Sequence, residues 1–373
     1  MRAPPLNLRL LKVFEAIFVD KSLTNAALKL DMTQPAVSQS LTRMRTHFGE
    51  PLFVRAPGGM EPTPRAKELF AFVAVILREA PAWSHRPIGC LPNKPRMARY
   101  LQPSSLSDAL SALAGVSSLA VLAGGTDFYP ARVGRVIDED ILVISRIATM
   151  RGISQSGDAL RIGATTTWAD VIAAGLPAAF DGLTLAAREV GGQQIQNAGT
   201  IAGNLCNASP AADGTPALLA LGASVELVSS RGTRQMPLEA FVLGSRKTVR
   251  ASDELVTAIV IPAWPRGARG VFLKLGARRY LVISIVMVSA VVALDGLGAI
   301  ARCGIAVGAC SAVAQRLVAL ERRLVGTMPT AVEVRPDDLA TLAPISDVRG
   351  SGAYRLDAAL TLVSQAIAQA CAP

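Results

Sequence analysis

A chain of 373 residues that is 51% hydrophobic and only 18% charged has the apolar material for two or three buried cores and too little charge for wholesale disorder. Its net charge of +10 is uneven: residues 1–96 hold 14 Lys+Arg against 7 Asp+Glu, and residues 97–373 hold 24 against 21, so a polyanionic partner belongs to the first quarter. Two histidines and five scattered cysteines (Cys90, Cys206, Cys303, Cys310, Cys371), with no CxxC pair, argue against a histidine zinc site or an iron–sulfur cluster and for reduced thiols. Arg9, Lys12 and Glu15 interrupt the apolar stretch Leu6–Phe18, so no secretory leader is read and a cytoplasmic location is expected.

In chain order, Leu8, Leu11, Phe14, Ile17 and Phe18 recur at helical spacing and predict a helix over 6–19. Ser22 caps a second helix over 23–30, where Ala26 and Ala27 permit a close crossing. Asp31 and Met32 make a turn. Thr33 then caps a third helix, with Gln34 and Pro35 in its first turn, running to about His47. Val37, Leu41, Met44 and Phe48 form its buried stripe. Gln34, Ser38, Gln39, Thr42, Arg43 and Arg45 remain on other faces, where they can hydrogen-bond bases and phosphates. Leu52–Arg55, a Pro-Gly-Gly turn and a Thr-Pro segment fit a small β-wing.

These residues, above all Thr33-Gln34-Pro35-Ala36-Val37-Ser38, Phe48-Gly49, Leu52-Phe53, Arg55 and Thr63, resemble the winged helix-turn-helix of LysR-type transcription regulators. The resemblance covers about 75 residues. It implies a recognition helix from Gln34 to His47 in a DNA major groove, with Thr33, Gln34, Pro35, Ser38, Gln39, Thr42, Arg43 and Arg45 as DNA contacts. It also implies that 66–80 begins a dimerising linker helix. That family continues into a two-lobed sensor domain, which is missing here.

The segment 81–97 is punctuated by prolines and lacks periodicity, so it reads as a linker. Met97-Ala-Arg-Tyr-Leu resembles the start of an independent protein. The chain reads either as a fusion or as a regulator fragment joined to the next reading frame.

Beyond the linker, 105–113 is expected as a short helix and 119–123 as a buried strand running into Gly124-Gly125-Thr126-Asp127. Paired glycines allow close approach and let successive N–H groups point inward at a phosphate, although an ordinary tight turn uses the same residues. A second glycine-rich segment, Gly191 to Asp213, is studded with Asn, Thr and Ser and reads as too polar for core. It leads into an apolar helix over 216–221, which Asp213 can N-cap. Two such loops suggest one diphosphate-bearing cofactor. The longest apolar run, 280–294, falls short of the roughly 20 residues of a membrane span and reads as a buried strand with its lead-in.

The body resembles the FAD-binding medium subunit of the molybdenum hydroxylases, the xanthine dehydrogenase and carbon monoxide dehydrogenase family. The motifs that carry it are AGGTDFYP, IGATTTWADV, QIQNAGTIAGNLCNASPAADGTPALLAL, LVTAIVIP, FLKLGARRYLVISIVMVSAVVAL and ACSAVAQRLVALERRLVG, which span 97–373 in order. The last of these, 309–326, is expected as one helix. The resemblance implies an α+β chain: a winged helix-turn-helix over 6–80, a linker over 81–96, a two-lobed FAD-binding domain of vanillyl-alcohol-oxidase type over 97–265, and a smaller C-terminal α+β lobe over 268–371.

The resemblance further implies that the backbone of Ala123, Gly124, Gly125, Thr126 and Asp127 holds the FAD pyrophosphate. Thr200, Ile201, Ala202, Gly203 and Asn204 hold its other side, Asp213 bonds a polar part of the FAD, and Lys274 lies near the flavin. The family often has Gly where this chain has Ala202, and Arg where it has Gln196. The methyl crowds a close cofactor, and the glutamine keeps hydrogen bonding but loses a charge.

No Ser–His or Cys–His pairing proposes itself as a nucleophile and base, which suits a subunit whose cofactor carries the chemistry. The resemblance implies an electron relay from the iron–sulfur clusters of a small partner subunit, fed by a molybdopterin-binding large subunit, through FAD to NAD or another acceptor. The alternative is a DNA-binding regulator that uses its flavin domain as a redox or ligand sensor.

Overall fold

The structure is a computed structural model, and it describes residues 8–56, 59–79, 98–116, 119–134 and 137–372. The expected linker over 81–96 lies outside the described residues. The chain divides into two compact units, Met1–Arg96 and Met97–Pro373.

In the first unit, α1 (Leu8–Asp20), α2 (Leu23–Lys29) and α3 (Gln34–Phe48) pack around Val13, Phe14, Ile17, Ala26, Val37 and Met44. Both expected caps are made: Ser22 Oγ accepts from the Asn25 N–H at 3.3 Å, and Thr33 Oγ1 from the Ala36 N–H at 3.4 Å. Gly49 closes α3 in the left-handed region, at φ 76. The wing is an antiparallel pair, β1 (Phe53–Ala56) with β2 (Gly59–Pro62). It is followed by α4 (Pro64–Glu79), whose Phe70 stacks on Phe18 with centroids 3.9 Å apart.

The second unit begins with a three-stranded parallel sheet in the order β3 (Tyr100–Leu101), β5 (Asp140–Val143), β4 (Leu119–Leu122), with α5 (Leu106–Gly115) in the crossover. A five-stranded antiparallel sheet follows, ordered β6 (Ile153–Ser156), β7 (Ala159–Gly163), β12 (Leu255–Ile261), β8 (Ser224–Ser229), β9 (Gly232–Pro237). The segment between β7 and β8 carries α6 (Trp168–Ala173), α7 (Asp181–Glu189), α8 (Gln193–Ala198), α9 (Ile201–Asn207) and α10 (Gly214–Ala220). After β9 come α11 (Leu238–Phe241) and a small hairpin, β10 (Val242–Gly244) with β11 (Lys247–Thr248).

The C-terminal lobe is a four-stranded antiparallel sheet, β13 (Arg269–Leu275), β14 (Val286–Leu294), β15 (Ile300–Gly308) and β16 (Gln315–Arg316), with α12 (Val318–Leu324) and α13 (Gly352–Cys371). Strand β14 explains the long apolar run. Val286, Val288, Ala290 and Val292 face a core shared with α13, while Met287, Val291 and Ala293 face the core of the FAD-binding half. A strand covered on both faces has no polar side to alternate with.

Two expectations are corrected. Residues 309–326 are not one helix. Ala309 turns into the left-handed region at φ 62, Gln315 and Arg316 pair with Val307 and Ala306 as an edge strand, and only Val318–Leu324 is helical. Sheet pairing overrides the helical propensity of the alanines. The segment 191–213 is likewise no open polar loop. It folds into α8 and α9, and Ile201, Ala202 and Leu205 are buried.

Candidate functional site

Strand β4 delivers Ala123–Asp127 at its carboxyl end, the edge where parallel sheets present loops to ligands. Gly124 touches the second glycine segment directly: a Cβ there would lie 1.8 Å from the Ala198 carbonyl oxygen. Gly125 sits at φ +74, and a Cβ there would meet the Tyr129 ring at 2.8 Å. Among the described residues, nothing accepts a hydrogen bond from the N–H groups of Gly124, Gly125, Thr126 or Asp127. Four unused donors on one tight loop make a concavity suited to an anion.

The second segment is built differently. Its N–H groups are spent within the fold: Ile201 donates to Thr166 O (3.0 Å), Ala202 to Ala164 O (3.3 Å), Gly203 to Thr200 Oγ1 (3.1 Å) and Asn204 to Thr200 O (3.0 Å). This side therefore offers side chains and apolar surface instead of a row of amides. Among the described residues nothing donates to the buried Asn204 Oδ1, an acceptor left for a hydroxyl or N–H. Ala202 lines the cleft, and its methyl is largely covered. Gln196, where the family often has Arg, donates to Arg188 O at 3.0 Å.

Between the two segments lies a cleft of about 430 Å3. Of the expected cofactor residues, Ala123, Gly124, Gly125, Thr126, Asp127, Thr200, Ala202, Gly203 and Asn204 line it. Ile201 does not; it is fully buried in the core. Asp213 and Lys274 do not line it either; they bond each other. Lys274 Nζ lies 2.9 Å from Asp213 Oδ1, and Ser284 Oγ donates to the same oxygen at 3.1 Å. Burial pushes the Asp213 carboxyl above its ordinary range, against the pull of Lys274 and Ser284. Asp213 makes no capping hydrogen bond to α10, so the expected N-cap role is absent. The pair ties the FAD-binding half to β13 of the C-terminal lobe.

The sequence reading did not single out Phe128, Arg132, Cys206, Asn207, Arg246 or Arg250, all of which line the cleft. Arg132 lies over the Phe128 ring at 3.6 Å and pairs with Glu139. The run Arg246-Lys-Thr-Val-Arg250 was the available signal, a basic cluster in a segment with no helical periodicity. Burial pushes the Cys206 thiol up to about 11, so it stays protonated at neutral pH and is a poor nucleophile. The open amides, the guanidinium groups and the orphaned acceptor fit a ligand that carries both a diphosphate and hydrogen-bond donors, as FAD does.

In the first unit, Thr33, Gln34, Pro35, Gln39, Thr42, Arg43 and Arg45 are exposed on α3, and Ser38 is half-buried. Thr33 is occupied as the cap, and Thr42 Oγ1 donates to Ser38 O. Arg43 and Arg45 make no ion pair among the described residues. No helix among the described residues is long and apolar enough to cross a membrane.

Comparisons with known proteins agree with this geometry. The family described as FAD binding domain in molybdopterin dehydrogenase matches residues 96–264, and the CO dehydrogenase flavoprotein C-terminal domain matches 272–370. The lysR family of bacterial regulatory helix-turn-helix proteins matches 8–67. The chain is 30% identical to the nicotine 6-hydroxylase medium subunit of Paenarthrobacter nicotinovorans, over 73% of this chain and 96% of that one. It is 29% identical to the xanthine dehydrogenase FAD-binding subunit of Escherichia coli O157:H7, over 74% and 96%. A chain of the reconstituted CO dehydrogenase from Oligotropha carboxidovorans superposes with a TM-score of 0.67 at 27% identity, over 74% of this chain and 97% of that chain.

Proposed function

This chain belongs to the FAD-binding subunits of the xanthine and carbon monoxide dehydrogenase family, with a LysR-family helix-turn-helix ahead of them, and from that premise we propose that it is the electron-relay subunit of a molybdenum hydroxylase complex. Electrons would come from the iron–sulfur clusters of a small partner subunit, after a molybdopterin-binding large subunit has oxidised the substrate, and would leave to NAD or another acceptor. Bound FAD supplies a centre able to exchange one or two electrons. The chain's own residues bind and orient it. The amides of Gly124–Asp127 receive the diphosphate, Thr200, Gly203 and Asn204 form the facing wall, and Asp213 with Lys274 fixes the lobes behind that wall. The observation that carries this reading is the set of four unused amides on a loop pressed against Ala198.

The test is to purify the chain from its own cells. It is expected to be yellow, to hold about one FAD per chain, and to bring down a molybdopterin-containing and an iron–sulfur polypeptide. A chain that stays colourless with added FAD sinks the reading. A yellow chain that purifies without either polypeptide sinks the relay.

The head supports a second role, contact with DNA, because its polar α3 face is exposed and Arg43 and Arg45 on that helix make no ion pair among the described residues. The double variant Arg43→Ala, Arg45→Ala is expected to weaken DNA binding at least roughly tenfold and to flatten the log K against log salt slope by about 2, near one unit for each lost phosphate contact. Equal slopes for variant and wild type, measured by fluorescence anisotropy across a salt series, would remove these arginines from the interface.

A further inference from the structure

Arg246 stands at the tip of the β10–β11 hairpin in the left-handed region, at φ 59. Glycine or asparagine ordinarily fills such a turn, and a long side chain there costs about 1–2 kcal/mol. The strain is held by two hydrogen bonds to the end of α9. The Arg246 N–H donates to Ala208 O at 3.0 Å, and its guanidinium donates to Asn207 Oδ1. Ala208 is itself left-handed, at φ 47. Two unfavourable backbone conformations thus meet to aim one guanidinium at the cleft. Strain kept at one place by surrounding structure is a marker of function.

Arg250 reaches the same cleft from the end of the hairpin. Its Nη1 donates to Ala251 O (3.0 Å) and Glu254 O (2.7 Å), which leaves Nε and Nη2 with unused donors. Both residues bond only neutral acceptors, and neither has a carboxylate within 4.0 Å among the described residues. Arg132, by contrast, is already paired with Glu139. The cleft therefore carries two guanidinium groups that pair with no carboxylate among the described residues; Asp127, which also lines it, lies more than 4.0 Å from either. The ring system and sugar-alcohol chain of a flavin are neutral, and only its phosphates answer such charges. A guanidinium fork binds a phosphate more strongly than a neutral hydrogen bond does.

Resting on the FAD reading above, we infer that Arg246 and Arg250 bind the cofactor's diphosphate and make the cleft select a dinucleotide flavin over riboflavin. The amides of Gly124–Asp127 supply direction and the two arginines supply charge.

The test titrates the flavin-free full chain with FAD, FMN and riboflavin, following quenching of flavin fluorescence. Wild type is expected to prefer FAD over riboflavin by roughly a hundredfold or more, with FMN between them. Arg246→Met and Arg250→Met are each expected to weaken FAD by roughly tenfold or more and riboflavin by less than about threefold, in line with the loss of a charged hydrogen bond. Arg246→Lys, which keeps the charge and loses the fork, is expected to fall between. Riboflavin affinity doubles as the check that each variant is folded. If wild type binds FAD but the Met variants lose FAD and riboflavin equally, or lose neither, the inference is overturned alone. If wild type binds no flavin, the FAD reading falls with it.

Discussion

Gly124→Ala is expected to give a chain that no longer retains FAD. The added methyl would lie 1.8 Å from the Ala198 carbonyl oxygen and 2.6 Å from its carbon, and both are backbone atoms that no rotamer change can move. The first flavin loop must then separate from the second glycine segment, which takes the open amides of residues 124–127 out of register with Thr200, Gly203 and Asn204. Overpacking of this kind costs roughly 1–3 kcal/mol in stability. The effect on the cofactor is expected to be larger, a loss of affinity on the order of a hundredfold, because the binding geometry itself is displaced. The measurement is the flavin-to-protein ratio after purification, with circular dichroism as the check on folding. Gly203→Ala is the internal comparison. Its new methyl meets Thr200 Oγ1 at 2.7 Å, a side-chain atom that can rotate, so this variant should keep more FAD. Full flavin content in Gly124→Ala would show that the two segments can part without harm.

Lys274→Met should destabilise the second unit more than any surface change. Lys274 and Asp213 are an almost buried pair, their side chains 6% and 12% exposed. Removing the ammonium leaves a carboxylate with only Ser284, among the described residues, to satisfy it, and breaking a buried pair in this way costs about 3–5 kcal/mol. The effect has a pH signature. Burial holds the Asp213 carboxyl above its ordinary range, and the folded chain therefore binds this proton more tightly than the unfolded chain. Its favourable contribution is fully present below the unfolded pKa and is lost as pH rises through the folded pKa. Without Lys274 the carboxyl is pushed further up, and the window of loss widens. Urea unfolding should show a larger deficit for Lys274→Met at pH 8 than at pH 5, and the double change Asp213→Asn, Lys274→Met should recover at least half of it. A deficit under about 1 kcal/mol at both pH values would mean that the pair is replaceable by water and is no clamp.

Much of the head was legible because its signals are local. Ser22 and Thr33 cap the helices that follow them, and the 4, 3, 4 spacing of Val37, Leu41, Met44 and Phe48 placed the α3 stripe. In the body, the strand that runs into Gly124-Gly125 was legible for the same reason, since both depend on residues within a few positions of each other. Residues 309–326 were expected as one helix by resemblance, whereas the pairing of Gln315 with Val307 is a property of the sheet that no local motif carries.

By itself, then, the sequence determined the two-part organisation, the helix-turn-helix, the glycine loop at the end of β4 and, by resemblance, the FAD family. The tertiary structure alone decided which groups are spent and which are free. It showed that the amides of residues 201–204 are consumed within the fold while those of 124–127 remain open. It joined Asp213 to Lys274 across 61 positions of sequence and brought Arg246 and Arg250, which pair with no carboxylate among the described residues, into the cleft. Periodicity and capping act over one or two turns of chain. A hydrogen bond or charge is satisfied by whatever segment the fold returns to it, and that return is fixed only when the cores close.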